Sequence, residues 1–180
     1  KYDHEHRVGL IVDEWGTWFD CEPGTNPGFL YQQNTMRDAM VAALTLDIFN
    51  SHCDRVVMAN IAQMVNVLQA VILTDGAKMI CTPTYHVFDL YKAHHDANYL
   101  PSAITCGECS GVKQLTATTS EKEGVITLTA TNTSCTDALD VVVPLSGASA
   151  KDVTARILTG DMHDKNTFED AEKVTVKPFD

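Results

Sequence analysis

Two short apolar runs, residues 7–12 (RVGLIV) and 55–60 (RVVMAN), restrict the fold more than any other feature of the sequence. Neither run alternates, which is the pattern of a strand covered on both faces. Between them lies a turn-rich stretch, CEPGTNPG, and then Thr35-Met36-Arg37-Asp38, a capping box with Asp in the Glu position. Beyond it Met36, Ala39, Met40, Ala43 and Leu44 recur at helical spacing to about Asn50. Strand, loop, helix and strand make one βαβ unit, whose two strands must run parallel.

Further on, VILTDGAKMIC sets Asp75-Gly76 between two apolar runs and predicts a tight hairpin. Thr82-Pro83 reads as a cap followed by Pro at the first helical position. The helix it opens carries Val87, Phe88 and Tyr91 on one face and is expected to fade near Ala97. At Leu100-Pro101 the character changes to short alternating runs rich in Thr, Val and Ser: KQLTATTS, VITLTATN, LDVVVPL and VTARILTG. Their spacing is that of an antiparallel β-sandwich. The chain therefore divides into an α/β part, residues 1–100, and an all-β part, residues 101–180. Two buried parallel strands are too few to close a sheet, and KVTVKPFD ends with no strand after it. Both parts are expected to be incomplete, with open sheet edges.

A formal net charge of −11 argues against nucleic acid or an anionic membrane surface as a partner. No apolar run is long enough to span a bilayer, and residues 1–20 do not read as a signal peptide. Any targeting segment would lie upstream of Lys1, so the location stays open, with cytoplasmic preferred over secreted or periplasmic. Cys106-Gly-Glu-Cys109 is the only close cysteine pair, and no second CxxC or HxxxH follows at a zinc-site interval. The six cysteines read as free thiols. The pairs His94-His95 and His4-x-His6 read as surface residues. No metal and no cofactor is expected.

The chemistry concentrates in residues 9–20, GLIVDEWGTWFD. An apolar strand runs into two carboxylates, Asp13 and Glu14, and the only two tryptophans follow at 15 and 18. In barrels of alternating strands and helices, catalytic groups stand at the C-terminal ends of strands. Glu14 occupies such a position, and flat indole rings beside a carboxylate suit a sugar ring. The alternatives are a solvated acid in a loop and indoles packed in the core beneath it. The second strand also ends in polar residues, with Asn60, Gln63 and Asn66 set among apolar neighbours. Asn60 and Asn66 fit ligand contact and loop closure equally well. Tyr85 and His86 can approach the same face, and His86, at a helix start, is left out of the site.

The segments VDEWGTWFD, EPGTNPGFLYQQNTMRDAMVAALTLDIFN, HCDRVVMANIAQMVNVLQAVILTDG and TPTYHVFDLYKAHHD resemble the C-terminal part of the α-L-arabinofuranosidases of glycoside hydrolase family 51. The resemblance is dense over residues 8–101 and weaker over 102–180. It implies the last two βα units of a (β/α)₈ barrel followed by a β-sandwich, and retaining cleavage of terminal arabinofuranosyl groups from arabinan, arabinoxylan or oligosaccharides. Glu14 then matches the nucleophile at the end of barrel strand seven, with RVVMAN as strand eight. Trp18 matches an aromatic residue of the sugar pocket, and Gln63 a glutamine that contacts arabinose. Homo-oligomers, commonly hexamers, are implied as well.

A retaining glycosidase needs two carboxyl groups about 5 Å apart, one ionised and one protonated. Asp13 is a poor partner for Glu14, because neighbours on a strand point to opposite faces. The family's acid/base glutamate lies in an Asn-Glu motif after an earlier strand, and no Asn-Glu occurs in these residues. Strands one to six are thus expected before Lys1 and a last sandwich strand after Asp180, and the chain alone is expected to lack turnover. Two other readings compete: a non-catalytic carbohydrate-associated β-sandwich module, and a related barrel glycosidase with another sugar specificity. The first finds little support, since Phe168 and Phe179 are the only aromatic residues after residue 100.

Overall fold

A computed structural model describes residues 2–179. The expectations placed before Lys1 and after Asp180 lie outside them. Strand β1 (Leu10–Trp15) leads through a long loop, which includes a 3₁₀ turn at Pro27–Phe29, into helix α1 (Met36–Ser51) and strand β2 (Val56–Ile61). β1 and β2 pair in parallel, as the βαβ reading requires. The hairpin β3 (Ile72–Asp75) and β4 (Lys78–Cys81) follows, with Asp75 paired to Lys78. Its two-residue loop is Gly76-Ala77, one residue later than the sequence suggests. Gly76 takes a φ of 57°, which suits glycine at the first loop position. Helix α2 (Pro83–Tyr91) starts with Pro at its first turn and tightens into a 3₁₀ turn over Lys92–His94, before the expected end near Ala97.

The C-terminal half is rich in sheet. A short β5 (Asn98–Tyr99) pairs with β8 (Leu115–Lys122), which forms a long hairpin with β9 (Val125–Asn132). Two small antiparallel pairs accompany it: β6 (Glu108–Cys109) with β7 (Val112–Lys113), and β10 (Ala155–Ile157) with β11 (Lys177–Phe179). The run LDVVVPL, expected as a strand, has no assigned pairing, and Val142 is 89% exposed. Period-two apolarity needs a ladder partner to become a strand, and this segment has none among the described residues.

The main core lies between the two helices: Met36, Ala39, Ala42 and Ala43 of α1 meet Val87 and Tyr91 of α2, with Val174 from the far end of the chain. That end is stitched on by backbone bonds. Met36 and Arg37, whose N–H groups have no partner inside the helix, donate to the carbonyls of Asp164 and Met162 at 2.9 and 3.0 Å. The buried Asn166 side chain donates to the Cys81 and Val174 carbonyls and accepts from the Val174 N–H.

Two expectations need correcting. β1 and β2 read as buried on both faces, yet Leu10, Ile11, Val57 and Met58 are exposed; they are neighbours on each strand, so at these positions the described residues cover neither face of the pair. His94 is no surface residue. Its ring is half-buried between α2 and the sheet, with Nδ1 2.7 Å from Ser120 Oγ and Nε2 3.0 Å from Thr129 Oγ1. All six cysteines are free thiols. Among the described residues no helix is long and apolar enough to cross a membrane, and no three His, Cys, Asp or Glu side chains come together as a metal-binding group.

Candidate active site

β1 ends at Trp15, and the two indoles, Trp15 on the strand and Trp18 just beyond it, part company there. Trp15 turns inward, edge-on to Phe49 of α1 at 5.4 Å and stacked on Phe88 of α2 at 6.1 Å between ring centroids. Trp18 is 68% exposed. Core packing thus claims Trp15, as the alternative reading allowed, and Trp18 remains the indole that a ligand can reach. Glu14, the residue before Trp15, is exposed, in a stretch of β1 between Val12 and Trp15 where the register with β2 shifts.

Gln63 stands at the same end of the sheet, two residues beyond Ile61, the strand partner of Trp15. The Ala62 N–H donates to the Trp15 carbonyl at 3.0 Å, so Glu14 and Gln63 each sit one residue from that bond. Gln63 is exposed and borders a cleft of about 760 Å³ between Phe29, Tyr31, Thr74 and Phe168. Neither Glu14 nor Trp18 lines that cleft.

The polar neighbours resolve differently. Asn66 spends its amide on loop closure, donating to Thr74 Oγ1 and accepting from the Thr74 N–H, both at 2.8 Å. Asn60 is exposed on β2. Tyr85 is exposed and meets His86 edge-on at 5.6 Å. Burial holds the His86 imidazole below its ordinary range, against the raising influence of Asp89 and Glu172.

Beneath the loop that follows Glu14 lies a buried polar cluster that the sequence reading did not single out as part of the site. Asp38, fully buried at the third position of α1, accepts from the Thr35 N–H at 2.8 Å and from Thr17 Oγ1 at 2.8 Å. Gln69, 1% exposed, donates through Nε2 to the Thr17 carbonyl at 2.8 Å and to the Thr17 hydroxyl. Gln32, also buried, accepts from the Phe19 N–H at 2.9 Å. Arg37 lies 3.5 Å from Asp38 Oδ2, with its guanidinium carbon 3.6 Å from the centroid of the Phe19 ring. The capping box was the one legible signal for Asp38, and Gln69 and Gln32 gave none.

The arrangement is an exposed carboxylate, an exposed indole and an exposed amide at the C-terminal ends of two adjacent parallel strands. Comparison with known proteins decides the relationship. The model of the α-L-arabinofuranosidase C-terminal domain matches residues 13–180. The chain belongs to that family. It is 47% identical over 186 residues to an intracellular exo-α-L-arabinofuranosidase of Bacteroides ovatus, a match covering 99% of this chain and 36% of that protein. Among solved structures, it matches the GH51 arabinofuranosidase of Xanthomonas axonopodis pv. citri with a TM-score of 0.92 and 46% identity, over 99% of this chain and 38% of that one. A family 51 α-L-arabinofuranosidase of Bifidobacterium longum gives a TM-score of 0.83 at 29% identity, over 96% and 37%. The chain thus spans little more than a third of the length of these relatives. Glu14, Trp18 and Gln63 all fall inside the span matched by the family.

Proposed function

We propose that this chain is the C-terminal part of a retaining α-L-arabinofuranosidase, with Glu14 as nucleophile and Trp18 and Gln63 as contacts for the arabinofuranosyl ring. The observation that carries the proposal is the placement of Glu14 and Gln63 at one end of a parallel strand pair, joined through the Trp15–Ala62 hydrogen bond, in a chain whose relatives are named arabinofuranosidases. In this reading residues 1–100 are the last two βα units of a (β/α)₈ barrel and residues 101–180 a β-sandwich. The exposed apolar side chains of β1 and β2 support it, since barrel strands bury both faces.

The Glu14 carboxylate attacks the anomeric carbon as the glycosidic C–O bond breaks, and an acid from another part of the enzyme protonates the leaving oxygen. Water then hydrolyses the glycosyl ester, with the acid's conjugate base taking the water proton. Trp18 offers an apolar face to the ring, and Gln63 supplies a donor and an acceptor for its hydroxyls. Terminal arabinofuranosides of arabinan, arabinoxylan or oligosaccharides are the proposed substrates. A homo-oligomer, a hexamer on the family resemblance, and a cytoplasmic location belong to the same reading. The latter is supported by the name of the B. ovatus relative, an intracellular enzyme.

Hydrolysis of an aryl α-L-arabinofuranoside by the full-length gene product tests this reading. Glu14→Gln is expected to lower kcat by about 10⁴-fold or more, the scale on which a nucleophile acts. The present chain alone is expected to show no turnover. Full activity with Gln at position 14 would remove Glu14 from the mechanism and favour the non-catalytic reading of this segment.

A further inference from the structure

Trp15, Thr17 and Phe19 are each held from below, and Gly16 passes close over Gln69. The Trp15 ring packs between Phe49 and Phe88, and its carbonyl accepts from the Ala62 N–H. Gly16 adopts a φ of 141°, and a Cβ there would lie 2.4 Å from Gln69 Cγ. The Thr17 hydroxyl donates to Asp38 and accepts from Gln69, while its carbonyl accepts from Gln69 at 2.8 Å and Gln32 at 3.4 Å. The Phe19 N–H donates to Gln32. Gln69 is itself anchored, its N–H donating to the Ala62 carbonyl at 3.0 Å.

We infer that Thr17, Asp38 and Gln69 are positioning residues that fix the exit of β1, and through it the aim of Glu14. The inference rests on the functional reading above and adds the residues that make its nucleophile effective. The physical case follows from the chemistry of the three groups. A hydroxyl has one proton and two lone pairs, and Thr17 spends the proton on a carboxylate that cannot move. Asp38 is held in the first turn of α1, where its carboxylate also accepts from the Thr35 N–H at 2.8 Å. Gln69 then uses its amide to lock both polar groups of Thr17. In the interior such bonds are strong, and each is costly to leave unmade. Glu14, just before this clamped segment, and Trp18, within it, are both exposed, and their side chains take no part in the clamp. Attack at a carbon requires placement to a fraction of an ångström, and a displacement of about 1 Å can cost about 100-fold in rate. A loop held only by solvent would not supply that.

The test uses the full-length enzyme with Thr17→Val, which keeps the shape of the side chain and removes the hydroxyl, and Thr17→Ser, which keeps the hydroxyl. Active sites are counted by covalent labelling with a 2-fluoro arabinofuranoside, and rates are measured with both a nitrophenyl and a dinitrophenyl leaving group. Thr17→Val is expected to lower kcat per labelled site by about 10- to 100-fold, with KM changed by no more than about threefold. The loss should persist with the dinitrophenyl substrate, whose departure needs no acid, and Thr17→Ser should recover most of the rate. An unchanged kcat in Thr17→Val overturns the proposal. So does a loss that Thr17→Ser shares in full, or one matched by an equal loss of folded protein read by circular dichroism, which would mark a folding role alone. A wild-type enzyme inactive on arabinofuranosides would instead overturn the functional reading, so the two failures are told apart.

Discussion

Helix α1 carries two buried carboxylates, Asp38 in its first turn and Asp47 near its last, and they do different work. Asp38 ties the loop after β1 to the helix, beneath the candidate nucleophile. Asp47 ties the helix to the sheet: it accepts from Tyr91 Oη at 2.8 Å, Thr118 Oγ1 at 2.7 Å and Thr116 Oγ1 at 2.6 Å. Asp38 takes a backbone donor at the helix start, whereas Asp47, lying inside the helix, is held by side-chain hydroxyls. Burial and the neighbouring Asp47 charge push the Tyr91 phenol well above its ordinary range, which keeps it a donor. The contrast teaches that burial of a carboxylate does not mark a site. What distinguishes Asp38 is that its hydrogen bonds end on a segment carrying exposed reactive side chains.

The largest effect expected from breaking this contrast is at the sheet end. Asp47→Ala leaves Thr116 and Thr118 without this acceptor and Tyr91 with only the longer bond to the Ala43 carbonyl, and should cost about 3 kcal/mol of stability, at about 1 kcal/mol or more for each weakened group. Urea denaturation of the full-length protein would measure it, with kcat per active site unchanged. If activity falls further than the folded fraction, the two ends of α1 are not separable. Gly16→Ala probes the other end. Its φ and the 2.4 Å approach to Gln69 predict a cost of about 2 kcal/mol, together with a fall in kcat beyond any loss of folded protein. Full activity in this variant would mean that the clamp beneath Glu14 is slack.

The smallest effect is a pH dependence at the helix–sheet contact. Burial depresses the His94 pKa, with the raising influence of Asp47 second and the lowering influence of His95 third. A group whose folded pKa lies below its unfolded value binds fewer protons in the fold. Its contribution is complete above about pH 6.5 and shrinks as pH falls toward the folded pKa. The thermal midpoint should therefore drop between pH 7 and the folded pKa, and the slope should be shallower in His94→Gln. His86, also depressed, acts in the same direction and leaves a residual slope. An identical slope in the variant would separate His94 from the contact.

Particular residues show how far the sequence could be read. Thr35, Asp38 and Pro83 announced the helix starts, because caps are local in sequence. Glu14 was visible as a carboxylate at the end of an apolar run, and Gln63 as a polar residue where a second run stops. Gln69, Gln32 and the burial of Asp38 were not visible, because their partners lie 13 to 52 residues away and no period connects them. The division at residue 100 remains a proposal, while Asn166 and Val174 pack back on the first half of the chain.

The alternating hairpin marks the boundary between the two kinds of knowledge. Alternation in LTATTSEK and VITLTATN determined that β8 and β9 are strands with unlike faces. Only the tertiary structure decided which face turns inward, and it reversed the ordinary expectation. Thr118, Ser120 and Thr131 are buried, while Ile126, Leu128 and Ala130 are exposed along an open groove. The reason is that α1, α2 and the 3₁₀ turn after α2 offer this sheet Asp47, Tyr91 and His94. A row of hydroxyls can satisfy those groups, whereas a row of methyls would leave them desolvated and unpaired. The same division runs through the two tryptophans. Their place beside Glu14 is written in the sequence, but Phe49 and Phe88, packed around Trp15, decided that Trp18 alone faces outward.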